Sequence, residues 1–404
     1  MGAKRTVWCA LLVVVVVGSS PGSVVTAHAQ SGLPDAGLVN VAGRAGIAET
    51  TVAYHVSVAD YDRDGREDFL FNRRWKVAMR LYRNAGSGRF VEDVRTNFGI
   101  ADRLDCEWGD PNVDSRPDLY CSVGAQQGTA TKRNELWIQQ SGGGFANQAA
   151  AWNVTDPYGR GRQVTFLNFN GDRYPDLFLG NHYPRQDGIP SPNRVFVNVS
   201  GTTFRELVVP GVTAEIGARC ASATDIDGDG FDDLLVCGNN ALRIYRNNGS
   251  NGFQNMAPAL NLNNNHADAV AVDLDGDGDR DLVLTSGGRT RVRLQTAPWV
   301  FGAARVVATG EARNVATPDI DSDGDLDLYV VRDGTNPNLA DLLLRNRGSG
   351  VFDAFVVGAS TSQGFAKMAA AIDHDRDGRD AVLVVNSNDG RTVPGPLELM
   401  APVP

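Results

Sequence analysis

The chain carries none of the short signatures that usually announce an enzyme. No Gly-x-Ser-x-Gly, no His-Glu-x-x-His and no glycine-rich phosphate loop occurs in its 404 residues. Histidine is scarce, with five residues scattered at His28, His55, His182, His266 and His374. A carboxylate pair for glycoside chemistry could be assembled only by folding, with Asp102, Glu107, Asp156 and Asp187 as candidates. Long apolar runs are also missing. The only one, Val7–Val17, is too short to span a bilayer, and no later segment is apolar enough to anchor the chain.

That single run reads as a secretory leader over residues 1–29. Lys4 and Arg5 precede it, and Ala27-His28-Ala29 forms a small-x-small cleavage site before Gln30. Met1-Gly2 with Thr6 also fits a myristoylation pattern, but the hydrophobic stretch behind it favours export. The expected location is extracellular, or periplasmic in a double-membraned bacterium, with residues 30–404 as one domain. Sequons stand at Asn153, Asn198 and Asn248.

What the chain has in abundance is aspartate in register. The motif Asp-x-Asp-x-Asp-Gly-x-x-Asp, or a worn copy of it, starts at Asp60, Asp110, Asn168, Asp225, Asp273, Asp319 and Asp373. Self-similarity at roughly fifty residues means a propeller, solenoid or array. Four loops are complete: Asp60, Asp62, Asp64, Asp68; Asp225, Asp227, Asp229, Asp233; Asp273, Asp275, Asp277, Asp281; and Asp319, Asp321, Asp323, Asp327. Each offers three side-chain oxygens, a backbone carbonyl and a closing carboxylate, an oxygen-only set that suits calcium better than the smaller magnesium. The second loop reads Asp110, Asn112, Asp114, Asp118, with Ser115 where glycine belongs. The third reads Asn168, Asn170, Asp172, Asp176, with Arg173 at the turn, and should bind most weakly. The seventh has Asp373, Asp375 and Asp377, then Ala381 where the last ligand should be, with Asp380 as a substitute. Up to seven calcium ions are therefore expected, four of them strongly held.

An EF-hand would need flanking helices and a glutamate at loop position twelve, where this chain has Phe71, Val236 or Leu284 inside strand-like runs. Asp-Gly turns between strands would explain one copy of the motif, but not seven in phase.

The net charge of −10 follows from the same loops, because half of the 48 Asp and Glu residues stand at ligand positions. Seven divalent ions would bring the mature chain to about +2. The acidity is therefore ligand charge, and nothing in it points to nucleic acid.

Four cysteines remain after Cys9 leaves with the leader. Cys106 and Cys121, like Cys220 and Cys237, have loop offsets of the same sum, which places each pair directly across a hairpin. Their registers differ by one residue, so one pair falls at a hydrogen-bonded site, and one bridge is expected more firmly than two.

Each unit repeats one order of strands: a small-residue strand such as AVAV at 269–272, the aspartate loop, then an alternating apolar strand. A third strand follows (LYRN, LWIQ, VFVN, RIYRN, LLLRN), and a fourth opens on Phe90, Phe145, Phe204, Phe253, Phe301 or Phe352. Four antiparallel strands per unit, seven times, predict an all-β seven-bladed propeller. The segment around Leu38 occupies an outer-strand slot with no blade before it, while the last unit ends after its third strand, LELM at 397–400. The N-terminal segment should therefore complete the seventh blade.

The runs DYDRDGREDFLF, DIDGDGFDDLLV, DLDGDGDRDLVL and DIDSDGDLDLYV, with outer-strand starts SGRF and NGF, resemble the FG-GAP/VCBS repeats of integrin alpha-subunit propellers and of many secreted bacterial proteins. The resemblance covers about residues 35–400. It implies calcium in the loops between first and second strands and partners on the opposite face. There the loops are basic and aromatic: Arg73, Arg74, Trp75, Tyr158, Arg160, Arg162, His182, Tyr183, Arg185, Arg289 and Arg291. The function expected from this is a non-enzymatic, monomeric binding module for extracellular protein or glycan. A polysaccharide-active hydrolase or lyase on the same scaffold is the alternative.

Overall fold

The computed structural model describes residues 33–73, 77–124, 129–182, 185–214, 217–238, 241–249, 252–262, 268–332, 340–358, 366–387 and 394–403. The expected leader, Arg74, Trp75 and Tyr183 lie outside these residues. The described strands form seven antiparallel sheets of the propeller kind. Blade one is typical, with Ala53–Ala59 innermost, then Asp68–Arg73, Arg80–Gly86 and Arg89–Glu92.

Small side chains recur where the inner strands crowd the axis; Ala269 and Ala369 are buried. The second strands do not alternate as expected. Asp118–Val123, Asp176–Asn181 and Asp233–Gly238 are buried at every residue, because a neighbouring blade covers each face of the sheet. A strand covered on both faces is selected for a continuous apolar run, as in DLLV. The core is correspondingly divided into seven clusters, one at each seam between blades.

The ring closes by strand exchange between the two ends of the chain. Leu38–Asn40 pairs antiparallel with Pro394–Pro402, with Leu38 opposite Pro402 and Asn40 opposite Met400. A second contact, Thr50 opposite Pro396, covers the remaining length of that strand. Closure leaves the last blade without the open edge that its three local strands would expose.

Two expectations need correction. Phe301 does not open the outer strand of blade five. It lies in a small hairpin, Gln295–Ala297 with Val300–Phe301, and the outer strand is Arg305–Thr309, which follows that hairpin and pairs with Arg289–Arg293. Both cysteine pairs are bridged, with Cα atoms 4.1 Å apart for Cys106–Cys121 and 4.9 Å apart for Cys220–Cys237. Twist in the inner hairpins brings both registers within reach of a disulfide.

At four loops the residue five places before the loop ties neighbouring inner strands together. Asp105 Oδ2 accepts the Val164 N–H at 2.8 Å, Asp268 Oδ2 accepts that of Val315 at 3.0 Å, and Asn314 Oδ1 accepts that of Ala369 at 2.9 Å. His55 Nε2 lies 2.8 Å from Asp105 Oδ1. Two residues along, burial and then Asp105 push the Glu107 carboxyl up to about 8, with His55 opposing the shift. The folded chain thus holds a proton that the unfolded chain releases near 4.5, so stability should fall as pH rises from 4.5 to about 8. Glu107→Gln is expected to flatten that fall, with its largest gain over wild type at pH 8. Identical pH profiles of melting temperature for the two proteins would contradict this.

Candidate functional site

The aspartate loops share one backbone. The first aspartate folds its own loop: Asp60 Oδ1 accepts the Asp64 N–H at 3.0 Å and Oδ2 accepts that of Gly65 at 2.8 Å. Asp225 accepts the N–H groups of Gly228, Asp229 and Gly230 at 2.7, 3.1 and 2.8 Å. The sixth position is left-handed, with φ of 91° at Gly230 and 90° at Gly278. Ser115 adopts the same turn at φ 68°, so the second loop keeps the shape at some steric cost.

The ninth aspartate is a clamp between strands. Asp68 Oδ1 accepts the Asn84 N–H at 2.7 Å and Oδ2 accepts that of Tyr61 at 3.2 Å. Asp176 does the same with Asn198 and Phe169, Asp233 with Asn247 and Ile226, Asp281 with Gln295 and Leu274, and Asp327 with Asn346 and Ile320. Asp118 accepts the Gln139 N–H at 2.7 Å. All six carboxylates are fully buried.

The amide residue on that third strand then reaches into the preceding blade. The side-chain NH2 of Asn84 donates to His374 O at 2.9 Å, Gln139 to Tyr61 O at 2.9 Å, and Asn198 to Pro111 O at 2.8 Å. Asn247 donates to Phe169 O at 2.8 Å, Gln295 to Ile226 O at 2.8 Å, and Asn346 to Leu274 O at 2.7 Å. Six seams are stapled in this way. In blade seven both halves are missing together: Ala381 stands at the clamp position and Pro402, which has no N–H, at the amide position. The staples were legible in the sequence as the Asn or Gln closing LYRN, LWIQ, VFVN, RIYRN and LLLRN. Asn346→Ala is expected to cost about 1–3 kcal/mol, because a buried carbonyl loses its donor. Denaturant unfolding checks this, and an unchanged midpoint would rule the staple out. Asn198 is committed to the same role and is buried, which leaves Asn153 and Asn248 as the exposed sequons.

Five loops gather carboxylate oxygens within 4.8 Å of one another: Asp60, Asp62 and Asp68; Asp225, Asp227 and Asp229; Asp273, Asp275 and Asp281; Asp319, Asp321 and Asp323; Asp373, Asp375 and Asp377. In each of these loops one buried carboxylate oxygen has no hydrogen-bond donor: Oδ1 of Asp62, Asp227, Asp275, Asp319 and Asp373. Burial and neighbouring carboxylates raise Asp62, Asp275 and Asp321, even though Arg83 beside Asp62 and Arg345 beside Asp321 oppose the shift. An oxygen-only cradle with an unpartnered buried anionic oxygen fits a calcium ion.

The second and third loops hold their fifth-position aspartates internally, although Asp118 Oδ2 of the second loop is also buried without a donor. Asn112 donates to Asp114 Oδ2 at 3.0 Å, and Arg116 also contacts Asp114. Asn170 donates to Asp172 Oδ2 at 3.0 Å, and Asn168 donates to Gly230 O at 3.1 Å. In the seventh loop, Asp380 does not replace the missing ligand. Its Oδ2 accepts the Asp319 N–H at 2.9 Å, tying loop seven to loop six.

At the opposite end of the blades, two expected anchors turn out to be internal. Arg185 is buried, donating to Tyr158 O and pairing with Asp187. Arg73 pairs with Glu49 at 3.2 Å and donates to Thr51 Oγ1 at 3.0 Å. Tyr158 is exposed, Arg160, Arg162 and His182 are partly buried, and Arg289 is exposed. Of the candidate glycosidase carboxylates, Asp156 is engaged by Arg194 and Asn181, and Asp187 by Arg185.

The architecture and the loops define a seven-bladed propeller with aspartate-rich loops at one end. Residues 168–330 match the FG-GAP-like repeat in three copies, at 168–236, 225–284 and 273–330. Cartilage acidic protein 1 of Mus musculus is 29% identical over 140 residues, which is 33% of this chain and 20% of that protein. The Homo sapiens protein is 27% identical over 140 residues, 33% of this chain and 19% of its own length. The match thus spans about a fifth of the length of these curated relatives. Among solved structures, an Agrocybe aegerita lectin that recognises non-reducing terminal N-acetylglucosamine superposes with a TM-score of 0.57 at 18% identity, covering 86% of this chain and 88% of the lectin. BBS1N, solved in complex with ARL6DN, gives a TM-score of 0.54 at 10% identity, covering 92% of this chain and 97% of that one. At these identities the likeness is one of fold.

Proposed function

We propose that residues 30–404 form a secreted, calcium-stabilised, non-enzymatic propeller that binds extracellular protein or glycan through the face opposite its aspartate loops. The observation that carries this reading is the set of five buried carboxylate oxygens without donors, one in each loop whose aspartates converge. Such loops are fully engaged in holding ions, which leaves recognition to the other end of the blades. The first, third and fifth positions of each loop, with the ninth at Asp68 and Asp281, would hold calcium, and the buried ninth carboxylate also fixes the loop against the third strand. The ion contributes charge neutralisation and loop order, not chemistry. Two disulfides suit an oxidising compartment outside the cell. The extracellular setting indicated by the name of the cartilage relative and the sugar recognition of the lectin point the same way.

A glycan array that includes terminal N-acetylglucosamine, run beside a pull-down from extracellular proteins with calcium-loaded protein, identifies the ligand class. Trp75→Ala and Tyr158→Ala should then each weaken binding by about 1–3 kcal/mol without lowering the melting temperature. Arg185→Ala should lower the melting temperature instead, because it removes a buried guanidinium that donates to Tyr158 O and pairs with Asp187. If both aromatic variants bind like wild type while a folded aspartate-loop variant fails to bind, the ligand sits on the loop face and the proposal is wrong.

A further inference from the structure

Blade five keeps its charges apart, and so does blade four except at Arg246, which pairs with Asp227 at 2.6 Å. No aspartate or glutamate occurs between residues 234 and 267 or between 282 and 310, while Arg243, Arg246, Arg289, Arg291, Arg293 and Arg305 do. The acids of these blades are confined to the loops at 225–233 and 273–281 and to Asp268, which is engaged by Val315 and Asn314.

The third strand of blade five reads Arg-Thr-Arg-Val-Arg over Arg289–Arg293. Thr290 and Val292 are buried on one side of the sheet, and the three arginines share the other. Arg293 is held by backbone carbonyls, donating to Leu260 O at 2.8 Å, Gly302 O at 3.0 Å and Phe301 O at 3.3 Å. Arg291 donates through Nη1 to Ser286 O at 3.1 Å and Ser286 Oγ at 3.0 Å, which orients its guanidinium. Arg289, exposed beside the Gly287–Gly288 turn, has no side-chain partner among the described residues.

The same strand position is neutralised elsewhere. Arg80 in blade one lies 3.0 Å from Glu49 and 3.4 Å from Glu92, and Arg194 in blade three lies 3.3 Å from Asp156 and 2.6 Å from Glu206. Arg291 has instead a second arginine beside it, and burial followed by Arg289 lowers its pKa. Like charges held side by side on a sheet cost stability, and no carboxylate of the described fold offsets that cost here.

We infer that Arg289 and Arg291 form a recognition surface for an acidic polysaccharide that carries sulfate or carboxylate groups along its length. The inference rests on the reading of this end of the blades as the ligand face and gives that face a substrate class. Guanidinium groups two strand residues apart stand about 7 Å from each other, each offering a planar fork to an oxyanion. The turn residues beside them, Ser286, Gly287 and Gly288, are small. A protein partner would need apolar or aromatic anchor pockets, whereas a flat polar surface suits a hydrated, repeating polyanion.

The test titrates calcium-loaded full chain with heparin, uncharged dextran and poly-glutamate in surface plasmon resonance at low and physiological salt. Heparin should bind with an affinity that falls as salt rises, dextran should not bind, and poly-glutamate should bind more weakly than heparin. Arg289→Ser with Arg291→Ser should lose about tenfold or more in heparin affinity. Arg347→Ser, which removes an exposed arginine of blade six that is paired with Asp353, should lose little. If the double variant melts below wild type, Arg289→Ser alone carries the test, because Arg289 is exposed. Heparin affinity unchanged by these variants, an equal loss in Arg347→Ser, or poly-glutamate binding as tightly as heparin would each overturn the inference. Capture of a neutral glycan or a protein in the earlier screens, with no heparin binding, overturns this assignment alone. The absence of any ligand in all of these assays overturns the binding-module reading with it.

Discussion

Chelating calcium should lower the melting temperature by about 10 °C or more. An ion that binds only the folded state contributes RT ln(1 + [L]/Kd), about 2.7 kcal/mol at a hundredfold excess over Kd. Five loops bring their carboxylates together with a buried oxygen left without a donor, so several such contributions are lost at once. Magnesium should restore little, because it demands a tighter octahedral shell than these loops supply. The loops should also rank by their own chemistry. Asp277→Ala, in a loop with no internal amide or arginine substitute, should cost more than Asn170→Ala in the self-satisfied third loop. Differential scanning calorimetry with calcium, with chelator and with magnesium decides the matter, and superimposable melts would refute structural calcium.

Deleting residues 33–48 is expected to be comparably severe. That segment supplies the strand opposite Pro394–Pro402 and buries Leu38, Val41, Ala45 and Ile47 against the seams on either side of blade seven. Large apolar side chains lost from a packed core cost about 2–5 kcal/mol each. The edge left behind is a template for pairing with other chains. The seam between blades six and seven is also the one without an amide staple, so nothing equivalent to Asn346 compensates there. The truncated chain should melt far below wild type and elute as aggregates in size-exclusion chromatography. A monomer with an unchanged melt would show that closure contributes little.

The sequence by itself determined the architecture and the positions of the loops. A motif repeated seven times at roughly fifty residues leaves few folds that can bury every copy equivalently, and the orphan strand slot around Leu38 dictates how the ring closes. Those are local patterns, visible in order along the chain. What the tertiary structure decided depends on groups that meet across blades. The ninth aspartate could be read as a ligand from its spacing, yet only the fold shows Asp233 taking the N–H groups of Ile226 and Asn247. Loop seven, short by one carboxylate, still converges, whereas loop two, with three, is closed by Asn112 and Arg116. Arg73 looked like a free anchor because the sequence does not show Glu49 beside it, whereas the partner of Arg185, Asp187, stands only two residues along. Arg289 and Arg291 looked the same, and the fold leaves them without a carboxylate partner. Charge type is written in the sequence, but its neutralisation is a matter of a few ångströms between residues far apart in the chain, and only packing sets those distances.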